Sequence, residues 1–197
     1  MTSVISEGIA KWLAREGVIV EEEQHLFSYA AYSLFLGLLP VIISMALGAI
    51  FGILYESFLL LLPFMLLRKF SGGFHFDSAK LCIICSTALI ALALGTVKLL
   101  LSGISLVPLA ICVLLSAISL LVNSPIESLA RKLSANEKVL FRNISRVLIV
   151  IVFLTFLLLL FFENKSAIPI GVGIVVAALL QIPCIVGALY RKFIRHN

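Results

Sequence analysis

Apolar residues run along this chain in long blocks, and polar positions cluster between them. A block from Leu26 to Ala46 passes almost without interruption into one from Leu47 to Leu67, where Gly48, Gly52 and Glu56 mark a hairpin. Further blocks cover Leu81 to Val97, Ile104 to Val122, Val147 to Phe162 and Ala167 to Leu189. A helix crosses the hydrocarbon of a bilayer in about 20 residues at ~1.5 Å each. The pattern therefore predicts an all-α membrane protein with six transmembrane helices, in a domain spanning residues 26–190. Ahead of it, within residues 1–25, the stretch ISEGIAKWLAREGV places Ile5, Ile9, Trp12 and Leu13 on one helical face. Glu7, Lys11, Arg15 and Glu16 fall mostly opposite, which predicts an amphipathic N-terminal helix. Such a helix lies in the membrane interface or packs on the protein's own cytoplasmic face. Residues 191–197 form a basic tail, and no internal repeat or second domain is visible.

Composition agrees with the blocks. The chain is 62% hydrophobic and 13% charged, with mean hydropathy +1.20. Soluble domains run nearer half apolar and a quarter charged, so one water-soluble core would not hide this surface. The first 25 residues carry five glutamates beside Lys11 and Arg15, unlike a signal peptide. The net charge of +5 is spent on topology rather than on nucleic acid. With both termini cytoplasmic, thirteen of the 15 basic residues fall on the cytoplasmic side. Only Lys98 and Lys165 are left outside. That asymmetry is the positive-inside pattern, and it favours six spans over a neighbouring number. Residues 68–82 and 123–146 then become cytoplasmic loops of a multi-pass membrane protein.

The first of these loops, with the start of the span after it, reads RKFSGGFHFDSAKLCIIC and holds most of the reactive groups. Cys82 falls in the first turn of the third span, where Asp77 or Ser78 is a suitable N-cap. The positive end of the helix dipole and nearby Lys80 favour a negative sulfur there, as a nucleophile requires. His75 is a candidate base. On one straight helix it would stand about 10.5 Å from Cys82 along the axis, whereas proton transfer needs roughly 3 Å or one bridging water. The pair therefore requires a non-helical turn, and Gly72-Gly73 tolerates the dihedrals of one. Each residue also has a plainer reading: His75 as a headgroup contact, Cys82 as an inert edge thiol, the diglycine as an ordinary turn, Arg68 as an interfacial anchor. Cys82 and Cys85 also form C-x-x-C, the spacing of a dithiol. Cys85 lies nearly one turn deeper, where desolvation disfavours a thiolate, so Cys82 is the preferred nucleophile. Gln181, inside the last span, is expected to hydrogen-bond another helix.

Arg68, then Gly72-Gly73, then His75 and Cys82 seven residues later, between hydrophobic spans in a chain of this length, resembles the AgrB (accessory gene regulator protein B) family of bacterial quorum-sensing systems. Pro125-Ile126-Glu127 in the second loop is similar to that family's proline followed by an acidic residue, although the proline- and lysine-rich continuation often found there is missing. The resemblance implies a membrane-embedded cysteine endopeptidase that removes the C-terminal tail of an AgrD-like propeptide. Its route would be an acyl-enzyme thioester, followed by cyclisation to a thiolactone or lactone. Cys82 would be the nucleophile and His75 its base and acid, with Arg68, Gly72, Gly73, Asp77 and Glu127 in substrate-binding or supporting positions. Asp77 would orient His75 or cap the helix. Arg68 would hold acidic substrate residues or a loop carbonyl, as its planar fork suits. A homodimer surrounded by lipid is implied, with no cofactor, metal or nucleic acid.

Two readings of other classes stand beside this one. A membrane dithiol redox protein would need Cys82 and Cys85 equally. A peptide transporter would place polar groups at mid-membrane, where these spans carry almost no charge.

Overall fold

The structure is a computed structural model that describes residues 2–20, 23–73, 79–126 and 135–187. Among these the chain is helical throughout, apart from turns and one isolated bridge between Gly72 and Ile126. The helices are α1 (Thr2–Arg15), α2 (Gln24–Phe51), α3 (Leu54–Ser71), α4 (Ala79–Leu101), α5 (Val107–Asn123), α6 (Ala135–Phe161) and α7 (Ala167–Leu179). The chain divides into two compact units, residues 1–43 and 44–197. In the first, α1 covers the amphipathic stretch, and Ile9 and Trp12 are exposed on it.

The second unit is the bundle that carries the candidate site. Its outward surface is rich in large apolar side chains, among them Leu92 on α4, Leu115 on α5 and Leu154 on α6. Contiguous apolar exposure of this kind marks a surface that meets lipid. Among the described residues, three helical segments are long and apolar enough to cross a membrane: Leu81–Leu101, Glu137–Phe161 and Ala167–Gly187. Gly37–Phe51 and Val107–Asn123 are shorter apolar helices.

The break between the first two predicted spans lies later than the hydrophobic pattern placed it. α2 continues through Leu47 and Gly48 to Phe51. It stops at Gly52, whose φ of +71° puts it in the left-handed region. The Ile53 amide then bonds the Gly48 carbonyl at 2.8 Å and the Gly52 amide bonds Ala49 at 3.1 Å. That is the paired closure of a helix C-terminus ending in glycine. Apolar residues continue across the turn, so hydropathy alone does not register it. Past the turn, Ser57 binds back to α2, its hydroxyl donating to the Ser44 carbonyl at 2.8 Å. Lys98 reaches from α4 to the Phe51 carbonyl at 2.9 Å and closes the same end of the bundle.

α7 is the centre of the bundle and packs against α3, α4, α5 and α6. Every residue from Ala167 to Ile174 is buried on it. A helix apolar all round belongs inside its neighbours, and small residues decide how near they come. A Cβ on Gly173 would stand 2.7 Å from the Leu60 carbonyl oxygen of α3 and 3.0 Å from the Pro63 ring. One on Gly171 would stand 2.7 Å from the Phe156 ring of α6. Pro63, inside α3, is thus accommodated by a glycine on the facing helix.

Candidate active site

The site lies where the C-terminal ends of α3 and α5 meet the far part of the last span, with Cys82 at the start of α4 within electrostatic range of Arg68. α3 persists past the predicted membrane edge, so Arg68 sits in its last helical turn. The chain leaves this helix through two left-handed glycines, Gly72 at φ +73° and Gly73 at φ +141°. The expected sharp turn at the diglycine is present. A second reason for glycine emerges from its surroundings. A Cβ on Gly72 would collide with the Ile126 carbonyl oxygen, and one on Gly73 with the Arg68 guanidinium. The same Gly73 position lies 3.1 Å from the Leu180 carbonyl. Glycine here gives room to neighbours as much as freedom to the backbone.

Arg68 folds back over that turn, and its Nη1 donates to the Gly72 carbonyl at 3.1 Å. A loop carbonyl was one of the partners expected for Arg68. Burial lowers the pKa of its guanidinium, and this is opposed by Cys184 and Cys82, both close enough to act on it electrostatically. Cys82 is half-buried in the first turn of α4. Cys85 is exposed on α4. Phe70 packs on Phe141 of α6 with ring centroids 5.8 Å apart, and Lys69 lies over the Phe70 ring.

The two loops expected at the cytoplasmic face are joined. The Ile126 amide donates to the Ser71 carbonyl at 2.9 Å, forming a parallel bridge beside Gly72. The bridge follows the Ser124–Pro125 peptide, which is cis. Beneath it lies Gln181, fully buried, whose Nε2 donates to the Ser71 carbonyl and to Ser124 Oγ, both at 3.1 Å. Its expected bonds to other helices are therefore made. The last span is interrupted at this residue. α7 ends at Leu179, and helix resumes over residues 182–187. Pro183 has no amide for the next helical bond, and the Cys184 amide turns to the Gln181 carbonyl at 3.1 Å.

His75, Asp77 and Glu127 lie outside the described residues. The structure joins Arg68 to Gly72 and Gly73, adds Ser71 and Ser124 through hydrogen bonds, and leaves Cys82 and Cys184 within electrostatic range of Arg68. Gln181 was legible as a polar residue in an apolar span. Ser71, Ser124 and Cys184 carried no signal of their own, because small hydroxyls and thiols are ordinary at helix ends. Among the described residues no group of three His, Cys, Asp or Glu is placed to hold a metal ion.

The profile of the accessory gene regulator B family matches residues 6–185, nearly the whole chain. This chain belongs to the AgrB family. The match takes in both units of the fold and every residue of the site described above. An AgrB-like protein 2 of Clostridium perfringens (strain 13 / Type A) is 33% identical over 82 residues, which are 42% of this chain and 38% of that protein. An AgrB-like protein of Clostridium perfringens (strain SM101 / Type A) is 29% identical over 82 residues, 42% of this chain and 36% of the relative. The matched part thus spans well under half the length of these curated relatives. No solved structure matches the AgrB chain. With its apolar helices, family membership makes this a membrane protein of the quorum-sensing class.

Proposed function

We propose that this protein is a multi-pass cysteine endopeptidase that cleaves the C-terminal tail from an AgrD-like propeptide and cyclises what remains. The observation that carries this reading is the Arg68 guanidinium, held on the Gly72 carbonyl and within electrostatic reach of the Cys82 thiol. A guanidinium near a cysteine at the start of a helix is the setting in which a sulfur nucleophile is used.

In the proposed sequence His75 accepts the Cys82 proton, and the sulfur attacks the carbonyl that precedes the tail. Backbone amides at the diglycine turn or at the start of α4 receive the negative oxygen. His75 returns the proton to the departing amine, leaving the propeptide as a thioester on Cys82. A cysteine or serine of the propeptide then attacks that thioester, closes a thiolactone or lactone, and returns the thiol to Cys82. A rim position suits this order of events, since limiting water spares the thioester from hydrolysis. Exchanging a peptide bond for a thioester is uphill, so removal of tail or product must draw the reaction forward. Asp77 and Glu127 are assigned supporting roles, and the protein acts as a homodimer with both termini cytoplasmic.

The test is co-expression with an AgrD-class propeptide from the same genome carrying a C-terminal tag. Tail release is followed by immunoblot and the Cys82 adduct by mass spectrometry. Cys82→Ala should release no tail, and Cys85→Ala should behave as wild type. Loss of activity in Cys85→Ala alone would make Cys85 the nucleophile, and equal loss in both variants would revive the dithiol reading. His75→Ala should form no thioester, so an adduct accumulating in that variant would remove His75 from the first step.

A further inference from the structure

The Ser71 carbonyl is a junction of three elements. It ends α3, accepts the Ile126 amide from the segment after α5, and accepts Gln181 Nε2 from the last span. Both lone pairs of that oxygen are therefore used. Gln181 in turn has both its amide hydrogens placed, the second on Ser124 Oγ at the C-cap of α5. One fully buried carboxamide thus ties the ends of α3 and α5 to the break in the last span. The residue after Ser71 is Gly72, whose carbonyl holds Arg68.

Burying a carboxamide in an apolar helix is costly unless it is hydrogen-bonded. Packing alone would be served as well by leucine, which fills a similar volume without that cost. The last span also tightens at this residue, where the Gln181 amide bonds the Ala178 carbonyl while the Leu180 amide keeps its bond to Val176. Both features fall at the one point of the last span that faces the diglycine turn. A Cβ on Gly73 would lie 3.1 Å from the Leu180 carbonyl, next to the Arg68 guanidinium. The last span therefore brings the carboxamide to Ser71 and the neighbouring carbonyl close to Gly73.

We propose that Gln181 is a positioning residue, whose clamp on Ser71 and Ser124 holds the Arg68–Gly72–Gly73 turn in the place where it acts on Cys82. The inference rests on the protease reading above and adds to it a residue remote from the reacting atoms. Its effect passes through the Ser71 carbonyl to the turn and thence to Arg68. Substrate affinity should depend on it little, whereas the chemical step should depend on it strongly.

The experiment uses the full chain in lipid nanodiscs, comparing wild type with Gln181→Leu and Gln181→Glu. Hydrogen exchange at the Ile126 amide reads the clamp without any substrate, and cleavage of the tagged AgrD-class propeptide reads its consequence. In Gln181→Leu the Ile126 amide should exchange at least about tenfold faster, with amides of the buried part of α4 unchanged. The same variant should lose about tenfold or more in kcat with KM nearly constant, as when a transition-state contact is removed. Gln181→Glu supplies a conservative rescue. A protonated carboxyl can donate one bond to Ser71, an ionised one cannot, and burial favours the protonated form. Its activity relative to wild type should therefore fall as pH rises, while the Gln181→Leu ratio stays flat.

Unchanged exchange at Ile126, a kcat within about twofold of wild type, or a loss confined to KM would each overturn the proposal. So would a Gln181→Glu chain that tracks Gln181→Leu at every pH. A wild-type chain that cleaves nothing sinks the protease reading and the catalytic half of this inference with it. The exchange arm still decides whether the clamp exists.

Discussion

Gly73→Ala puts the argument about the diglycine turn at risk. Its added methyl would occupy the place of the Arg68 guanidinium and stand 3.1 Å from the Leu180 carbonyl. Two costs follow. The backbone is held at φ +141°, a region open to glycine and strained for alanine by roughly 1–3 kcal/mol. Arg68 must also swing away, surrendering its bond to the Gly72 carbonyl, and a hydrogen bond from a charged donor is worth about 1.5–3 kcal/mol. The sum is roughly 4 kcal/mol, large beside the 5–15 kcal/mol of a typical fold. The buried stretch Ala167–Ile174 of α7 takes no part in either cost, so the bundle should still assemble. The measurement is a double-mutant cycle with Arg68→Ala, following unfolding in mixed micelles by circular dichroism. Where Arg68 is already gone, Gly73→Ala should cost only the backbone part, leaving a coupling of about 1.5–3 kcal/mol between the two sites. Equal costs in both backgrounds would show that the methyl and the guanidinium do not compete, and the reading of Gly73 would be wrong. Tail release in the Gly73→Ala single variant should fall with the displaced charge, even at temperatures where the chain is folded.

Other outcomes follow from the same geometry. Gly173→Ala should destabilise the bundle by about 1–3 kcal/mol, as overpacking does, because the Leu60 carbonyl and Pro63 ring it meets belong to rigid backbone and a proline. Gly95→Ala, on α4 with nothing within 4 Å of the new methyl, should be neutral or stabilising by up to about 1 kcal/mol; the same denaturation assay ranks the two. For sidedness, a chain lacking its native cysteines is given Lys165→Cys or Arg142→Cys and treated with a membrane-impermeant maleimide on intact cells. Lys165→Cys should label and Arg142→Cys should not until the membrane is opened, and the reverse pattern would invert the proposed topology.

Much of this architecture could be read from residues alone. Long apolar blocks dictate helices, because backbone polar groups in lipid have to bond within their own segment. The lone Gln181 in such a block announced a hydrogen bond, since a carboxamide there needs a partner. The spacing of Arg68, Gly72 and Gly73 was legible as the end of a helix, where the structure closes α3. Local order failed where neighbouring segments were equally greasy. Gly48, Gly52 and Glu56 marked the hairpin in sequence, and the left-handed Gly52 with its closing hydrogen bonds shows which of them ends α2.

What tertiary structure alone decided is who meets whom across the chain. Ser71, Ser124 and Gln181 are separated by 110 and 57 residues along their two hydrogen bonds. Nothing in a one-dimensional pattern ties a serine at one helix end to another at a second. The glycines of the turn look like hinges in sequence, yet in space they are clearances for Ile126 and Arg68. The same is true of Cys184, an ordinary thiol in an apolar run until the fold sets it beside the guanidinium. Hydrophobicity selects the helices and their length, whereas helices in lipid are paired by close packing and a few polar contacts, which depend on shapes that only the folded chain possesses.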